Sequence, residues 1–428
     1  MQHLIIGAGP AGVVAAEHIR KLDKHCSITL IGDEPEPPYS RMAIPYFLVG
    51  NIAEQGTYLR KTEGDLASKG IEVRHAKVTA VKPADKQVTL DNGSTLGYDK
   101  LLLCTGSHPV QPPIEGMNLP QVHSCWTLQD ARSIIELANP GSRVVLMGAG
   151  FIGCIILEAL ALRKVDLTVV EMDNRMVPRM MNETTGGMIK QWCEDKGVKV
   201  FTSTRVSAVR KAKSGFFRKS AHALNVDLDN KQTLEADLVI SATGVRSNTE
   251  FLQGSGLKLD QGVVVDDYLQ TSDPAIYAAG DVAQGRDFST GDYTVQAIQP
   301  TAVEHGKLAA TNMVRGNTVR HQGSVNMNVL DTLGLISTSF GSWMGVEGGE
   351  QAEICDVKNY KYLNLQFQGD VLVGASSLGM TDHMGVLRGL IQSKTRLGVW
   401  KQRLMKDPMR IMEAYLAMAQ AQSTAAKV

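Results

Sequence analysis

Residues 3–34 read HLIIGAGPAGVVAAEHIRKLDKHCSITLIGDE, and residues 143–173 read RVVLMGAGFIGCIILEALALRKVDLTVVEMD. The two stretches share one plan. Each opens with a short β-rich run and turns at GxGxxG. Each then continues through an apolar segment of helix length and closes with a second β-rich run ending in acid. This is the strand–turn–helix–strand plan of a dinucleotide-binding unit. A single GxGxxG is a weak signal. Two of them, each in this full context, point to a duplicated α/β unit.

The chemistry of each position follows from the turn. Gly7 permits the tight turn after the strand, Gly9 lets the backbone approach a pyrophosphate, and Gly12 allows close helix packing. Pro10 and Ala11 open the helix, whose free N–H groups and positive dipole end face the phosphate. Asp33 and Glu34 end the second strand and can accept hydrogen bonds from a ribose. In the second unit Gly148, Gly150 and Gly153 take the same places, with Phe151 and Ile152 between them. Glu171 ends its second strand. A carboxylate there binds a ribose 2′-OH and repels a 2′-phosphate, which favours NAD over NADP. Arg175, four residues on, is the competing candidate, because it could accept that phosphate.

The whole chain agrees with this class. Its 428 residues suggest roughly three domains at about 150 residues each. Lys+Arg and Asp+Glu balance at 44 each, so the basic excess of a general nucleic-acid binder is missing. Apolar residues are 43%, ample for large cores and against disorder. The six cysteines, at 26, 104, 125, 154, 193 and 355, form no CxxC pair and suggest no disulfide framework. A reducing cytoplasm is the expected compartment. The glycine motif begins almost at the first residue, so no cleaved signal is expected. The longest uncharged stretch resembling a membrane span, residues 144–157, falls short of the ~20 apolar residues such a span needs.

Between and after the two units, residues 71–73, 77–81, 87–90 and 100–105 read as strands. So do 198–202, 207–211, 223–228 and 236–243. A third region from about 317 has β-rich stretches at 324–330, 335–339 and 361–367, and the last 40 or so residues read as helical. The predicted fold class is α/β, with two Rossmann-like units plus a C-terminal α+β domain with a helical tail.

Two further segments are specific. Residues 271–284, TSDPAIYAAGDVAQ, contain Gly280-Asp281. Residues 241–252, SATGVRSNTEFL, contain Gly244 and Asn248. With the first GxGxxG, they resemble the pyridine nucleotide–disulfide oxidoreductase superfamily of two-dinucleotide flavoproteins, over residues 1 to about 316. The resemblance implies FAD in the first site and NAD(P)H in the second, with Gly244 on the NAD side. It implies a discontinuous FAD-binding domain at 1–113 and 245–316, an NAD(P)-binding domain at 114–244, and a C-terminal interface domain at 317–428. It further implies that Asp281 binds the ribityl–pyrophosphate region, that Val78 sits beside the adenine, and that Thr105 and Gly106 line the FAD. Pro300, Thr301 and Ala302 open a helix whose N-terminus points at the flavin, where its dipole stabilises the reduced anion.

The segment 37–50, PPYSRMAIPYFLVG, is similar to the ferredoxin, rubredoxin and nitrite reductase branch. Tyr39-Ser40-Arg41 stands where members carry Tyr-Asp/Asn-Arg, so the resemblance places Arg41 on the FAD adenosine side. Met42 stands near the redox cysteine of the peroxidase branch, and no paired cysteine exists, which argues against thiol–disulfide chemistry. The chain also departs from its branch. Tyr46 falls near a usual Lys, and Ile155 takes the place of its partner Glu beside flavin N5. Pro45 joins them among the flavin-adjacent positions, and no catalytic side chain is assigned. Glu158, one turn further, is expected to face elsewhere. His305, on the flavin-facing helix, reads as structural or solvent-facing.

Residues 386–428 hold eight Lys/Arg and only Asp407 and Glu413 as acids. Leu387, Leu390, Ile391, Leu397, Trp400, Leu404, Ile411, Met412 and Tyr415 recur at roughly helical spacing. Three readings stay open for this basic tail: helices packed on the domain with a solvated face, a docking surface for an acidic electron-transfer protein, or membrane-surface attachment. The leading expectation is a flavoenzyme exchanging electrons between NAD(H) and an iron–sulfur protein or subunit. The chain lacks clustered cysteines for such a centre itself. The alternatives are a membrane-surface NADH:quinone reductase and a non-catalytic FAD/NAD-binding regulatory flavoprotein. A homo-oligomer or hetero-oligomeric complex is compatible with each.

Overall fold

The computed structural model describes residues 1–212 and 222–425. Lys427 of the predicted basic tail lies outside the described residues. The first unit forms a five-stranded parallel sheet. Its order is Ile276–Ala278, Lys100–Leu103, Gln2–Ile6, Ser27–Gly32, Ile71–His75. All but the edge strand Ile71–His75 are largely apolar and buried, since helices cover the sheet. Helix Pro10–Leu22 buries Ala11, Val13, Ala15, Ala16 and Ile19. Helix Gln299–Arg315 crosses it closely: a Cβ on Gly306 would stand 2.4 Å from the Ala11 carbonyl oxygen. Only glycine permits that approach.

The second unit repeats the architecture with the order Lys199–Phe201, Asp166–Val170, Arg143–Met147, Leu238–Ser241, Val122–Ser124. The chain leaves the first unit through Ser107–Pro109 and returns through Val245–Ser247, and these two crossings pair antiparallel. The predicted strands appear within a few residues of their expected ends.

The C-terminal region is a five-stranded antiparallel sheet ordered Met327–Thr332, Leu335–Gly341, Val371–Leu378, Lys361–Gln368, Glu350–Asp356. Two of its strands were not predicted. Glu350–Asp356 is an edge strand with a mostly polar sequence, and Val371–Leu378 is interrupted by Gly374 and two serines. One sheet face adds Leu330, Leu335, Tyr362 and Leu378 to the core around the second unit. The other packs Phe340, Leu363, Leu365 and Phe367 against Leu387, Leu390, Leu404 and Ile411 of the tail. The tail forms helices Met384–Ser393, Val399–Lys406 and Ile411–Ala425. Each fully buried leucine contributes about 2 kcal/mol, so the tail is integral to this core.

The short helix Ile44–Val49 belongs in sequence to the first unit, yet Ile44 and Leu48 pack into the core of the second. Arg163 fixes it there by donating to the carbonyl of Leu48 at 2.7 Å, while also holding Ala138 and Ile135. The helix thereby becomes a wall between the two glycine turns.

Candidate cofactor site

One cavity runs from the first glycine turn to the second helix. Gly7, Gly9, Pro10, Ala11, Asp33, Glu34, Arg41, Pro45, Thr105, Gly106, Phe151, Ile152, Ile155, Gly280, Asp281 and Ala302 all line it. Distant stretches of chain thus meet at one place. Val78 is not among the lining residues; it is buried in the core of the first unit. Pro300 and Thr301 lie just behind the lining residues Gln299 and Ala302. Tyr46 is 57% exposed and outside the cavity, whereas its neighbours Met42 and Pro45 are in the wall. Glu158 is not in the wall, and burial, with Asp331 nearby, raises its carboxyl pKa. His305 is buried and shares a hydrogen bond with Ser324 at 3.0 Å.

The glycines separate into two kinds. A Cβ on Gly7 would lie 2.1 Å from the carbonyl oxygen of Cys104, and one on Gly12 would lie 2.0 Å from that of Gly7. These two hold the fold. A Cβ on Gly9 would meet nothing within 4 Å. That open space above a helix N-terminus is the cradle a pyrophosphate fills. The second turn repeats the pattern. Cβ atoms on Gly148 and Gly153 would stand 2.6 and 2.1 Å from carbonyl oxygens, while one on Gly150 would meet nothing. Both turns therefore fit a dinucleotide.

At one end of the cavity Glu34 is held by two neighbours. Arg41 donates to its Oε1 at 2.6 Å, and the Tyr39 hydroxyl donates to its Oε2. Arg41 also donates to the Trp126 carbonyl at 2.8 Å and lies 5.4 Å over both the Tyr39 and Trp126 rings. Burial, with the Glu34 carboxylate beside it, pushes the Tyr39 phenol up, so it remains a donor. Trp126 is a wall residue that the reading of the sequence missed. Its signal is the Thr127 capping box, in which Asp130 accepts from the backbone N–H groups of Trp126 and Thr127 and so orders the turn.

In the cavity's middle, Asp281 sits in a 3-10 turn and accepts from Ser107 Oγ at 2.9 Å. Burial raises its carboxyl pKa. Asn248 secures the adjacent wall. Its Nδ2 donates to the Thr105 carbonyl at 2.6 Å, its backbone N–H donates to the Gly106 carbonyl at 3.0 Å, and its Oδ1 lies 2.5 Å from His108 Nδ1. The crossing between the units and the cavity wall are thus one piece.

The far end is apolar: Met42, Pro45, Phe151, Ile152 and Ile155. Two cysteines also touch the cavity. Burial pushes Cys125 up to about 12 and Cys104 higher still, so neither offers a thiolate near neutral pH. Met42 completes a wall without a redox-active thiol.

Beyond the second turn, Glu171 is only 5% exposed. Its carboxylate accepts from the Ala149 N–H at 2.5 Å and the Asp173 N–H at 2.8 Å. Arg175 is committed to its own loop through the carbonyls of Met181 and Pro178 and the side chain of Asn174. It is not presented as a 2′-phosphate receptor. Gly244 stands at φ +112° where the chain leaves the second sheet.

Residues 1–306 match the family model of the pyridine nucleotide-disulphide oxidoreductases. The chain belongs to that family. It is 31% identical over 412 residues to the NADH-dependent phenylglyoxylate dehydrogenase subunit epsilon of Aromatoleum evansii, covering 96% of each chain. The water-forming NADH oxidase of Lactobacillus brevis, solved with NADH bound, is 25% identical. Its TM-score is 0.83 over 93% of this chain and 92% of that one. A putidaredoxin reductase–putidaredoxin complex shares the fold at TM-score 0.88 and 23% identity, over 98% of this chain and 99% of that one. This family member is an FAD-dependent NAD(P)H oxidoreductase whose cofactors are FAD and NAD(H). Among the described residues no helix is long and apolar enough to cross a membrane.

Proposed function

We propose that this flavoprotein exchanges electrons between NAD(H) and an iron–sulfur subunit of a larger oxidoreductase. FAD, when bound, supplies a hydride acceptor or donor toward nicotinamide and single-electron steps toward the partner. The observation that carries the reading is the cavity itself. It runs from the first glycine turn to Phe151 and Ile152 at the start of the second helix, and its wall holds no thiolate, so electrons need not pass through a protein disulfide. The end-to-end likeness to a chain named as a dehydrogenase subunit favours a fixed partner over a free carrier. Phenylglyoxylate is a 2-oxoacid, and an enzyme oxidising an aldehyde or 2-oxoacid fits this arrangement.

The assignment divides the residues as follows. FAD lies along Gly7, Gly9, Pro10, Ala11 and Gly12, with Asp33, Glu34 and Arg41 toward the adenosine, while Val78 stays in the core behind them. Thr105, Gly106, Gly280, Asp281 and the helix start at Pro300, Thr301 and Ala302 face the ribityl and flavin portions. NAD(H) lies on Gly148, Gly150, Phe151, Ile152 and Gly153, with Glu171 and Gly244. The boundaries 1–113 with 245–316, 114–244 and 317–428 follow from the same division. Pro45, Met42 and Ile155 exclude water beside the reacting ring, and no side-chain acid or base is required. Glu171 favours NAD over NADP, since Arg175 is occupied elsewhere.

Anaerobic stopped-flow mixing with NADH tests the reading. Flavin absorbance should bleach within seconds and return on adding a one-electron iron–sulfur acceptor. Bleaching over many minutes would identify a regulatory FAD/NAD binder instead.

A further inference from the structure

We propose that the outer face of the C-terminal helix Ile411–Ala425, with the turn before it, is the permanent seat of the iron–sulfur subunit. The proposal rests on the reading above that such a subunit exists. The tail's apolar residues fall into two sets. Leu387, Leu390, Ile391, Leu397, Leu404 and Ile411 are buried in the C-terminal core. Met409, Tyr415 and Leu416 are not: they are 49%, 41% and 53% exposed. Met412, Tyr415, Leu416 and Ala419 recur at the spacing that places side chains on one helix face. A helix on the surface of a monomer carries charges there. This one has a single charged residue, Glu413, and Arg410 neutralises it.

The two helices that pack against this one, Met384–Ser393 and Val399–Lys406, and the loop that joins them carry exposed bases. Arg388, Lys394, Arg396, Arg403 and Lys406 are exposed, and none is in an ion pair among the described residues. Asp407 is occupied as a cap on the Met409 N–H. Lys401, by contrast, is buried and bound to Glu350, so it belongs to the fold and not to this surface. An apolar centre within a charged rim is the anatomy of a lasting interface. A transient carrier is steered by charge alone. The complementary partner therefore has an apolar patch bordered by acids. The tail also reaches the cofactor-bearing unit: Lys394 lies 4.7 Å over the Phe288 ring, in the stretch that leads to the cavity wall at Ala297.

The test uses the tagged full chain purified from its native host, reading iron and acid-labile sulfide per flavin. The wild type should hold both in fixed ratio through about 1 M NaCl, where charge is screened within about 3 Å. Tyr415→Glu combined with Leu416→Glu should lower that ratio roughly tenfold or more. Flavin content and NADH–dye turnover should stay within about twofold, since these residues are far in sequence from the cavity wall. Ala419→Glu, on the same face, gives the same result without removing a large side chain and guards against misfolding. If the wild type loses its iron–sulfur subunit in salt and the Glu variants do not differ from it, the contact is electrostatic and the proposal is overturned. A wild type that keeps the subunit in salt along with both variants also overturns it, because the seat is then elsewhere. If no iron–sulfur protein accompanies the wild type even in low salt, the proposed function itself fails. A homodimer broken by the same variants would then make the stripe a self-contact.

Discussion

The two glycine-turn units have nearly the same plan but differ at two places. The first is the strand-end acid, and it is offset: Glu171 stands where the first unit has Gly32, and Glu34 lies two residues further on. In the first unit, Glu34 lines the cavity and is gripped from outside by Tyr39 and Arg41. In the second, Glu171 is buried and grips its own turn through the Ala149 N–H. The second place is the strand before the turn. His3 stands four residues before Gly7, and Val144 stands four before Gly148. Both are fully buried, but both ring nitrogens of His3 lack a partner among the described residues. One sequence motif can therefore be braced in different ways, and the bracing decides what each unit tolerates.

The sharpest break of the comparison exchanges the open glycines. Gly9→Val should remove FAD, lowering flavin retained after desalting roughly a hundredfold, as 1–3 kcal/mol of overpacking or more implies. Gly150→Val should leave the flavin in place and raise KM for NADH by a similar factor. Loss of flavin in both variants would mean that the two turns do not serve separate nucleotides.

Acid should find the first unit before the second. Burial lowers His3 to about 4 from an ordinary value near 6.5. The unfolded chain thus binds a proton that the folded chain refuses, and stability falls as pH drops from 6.5 toward 4. At pH 5 the loss is about 2 kcal/mol. His3→Val copies the second unit and should remove that part of the acid limb in thermal melts. An unchanged pH profile would show that the ring is hydrated or partnered. His305, lowered to about 3 by burial, adds a second acid-sensitive group to the same unit.

A smaller effect sharpens the role of Glu171. Replacing it with Ala leaves two backbone donors without their acceptor, a cost of about 1–3 kcal/mol. KM for NADH should rise roughly tenfold, with flavin content unchanged and the margin over NADPH narrowed. An equal loss for both nucleotides would make Glu171 a support of the turn only.

Smallest is Asn248, which joins the units. Asn248→Ala removes two side-chain bonds worth about 0.5 kcal/mol each at this half-buried site, so FAD should bind about fivefold less tightly. A shift of the flavin absorption maximum should accompany it, because the Thr105–Gly106 wall moves. Unchanged affinity and spectrum would leave Asn248 as a tie between crossings alone.

The sequence by itself determined the two parallel sheets, the two turns and the glycines at their contacts. Those depend on local chemistry: a β-rich run, a residue free to adopt positive φ, and an apolar helix form wherever they are written together. It also determined that the position of Met42 carries no thiol. Only the tertiary structure decided which side chains share the cavity. Ser107 enters through packing that no spacing announces, and the Thr127–Asp130 capping box marks an ordered turn without saying that Trp126 faces the cavity. Tyr46 and Pro45 are adjacent in sequence, but the short helix turns one to solvent and the other to the cavity. Periodicity found the apolar residues of the tail without saying which of them a core would cover. That depends on the curvature and size of the sheet beneath, which buries Leu404 and leaves Leu416 outside. Local rules fix an element and its faces, while the partner across each face is set by residues far away along the chain.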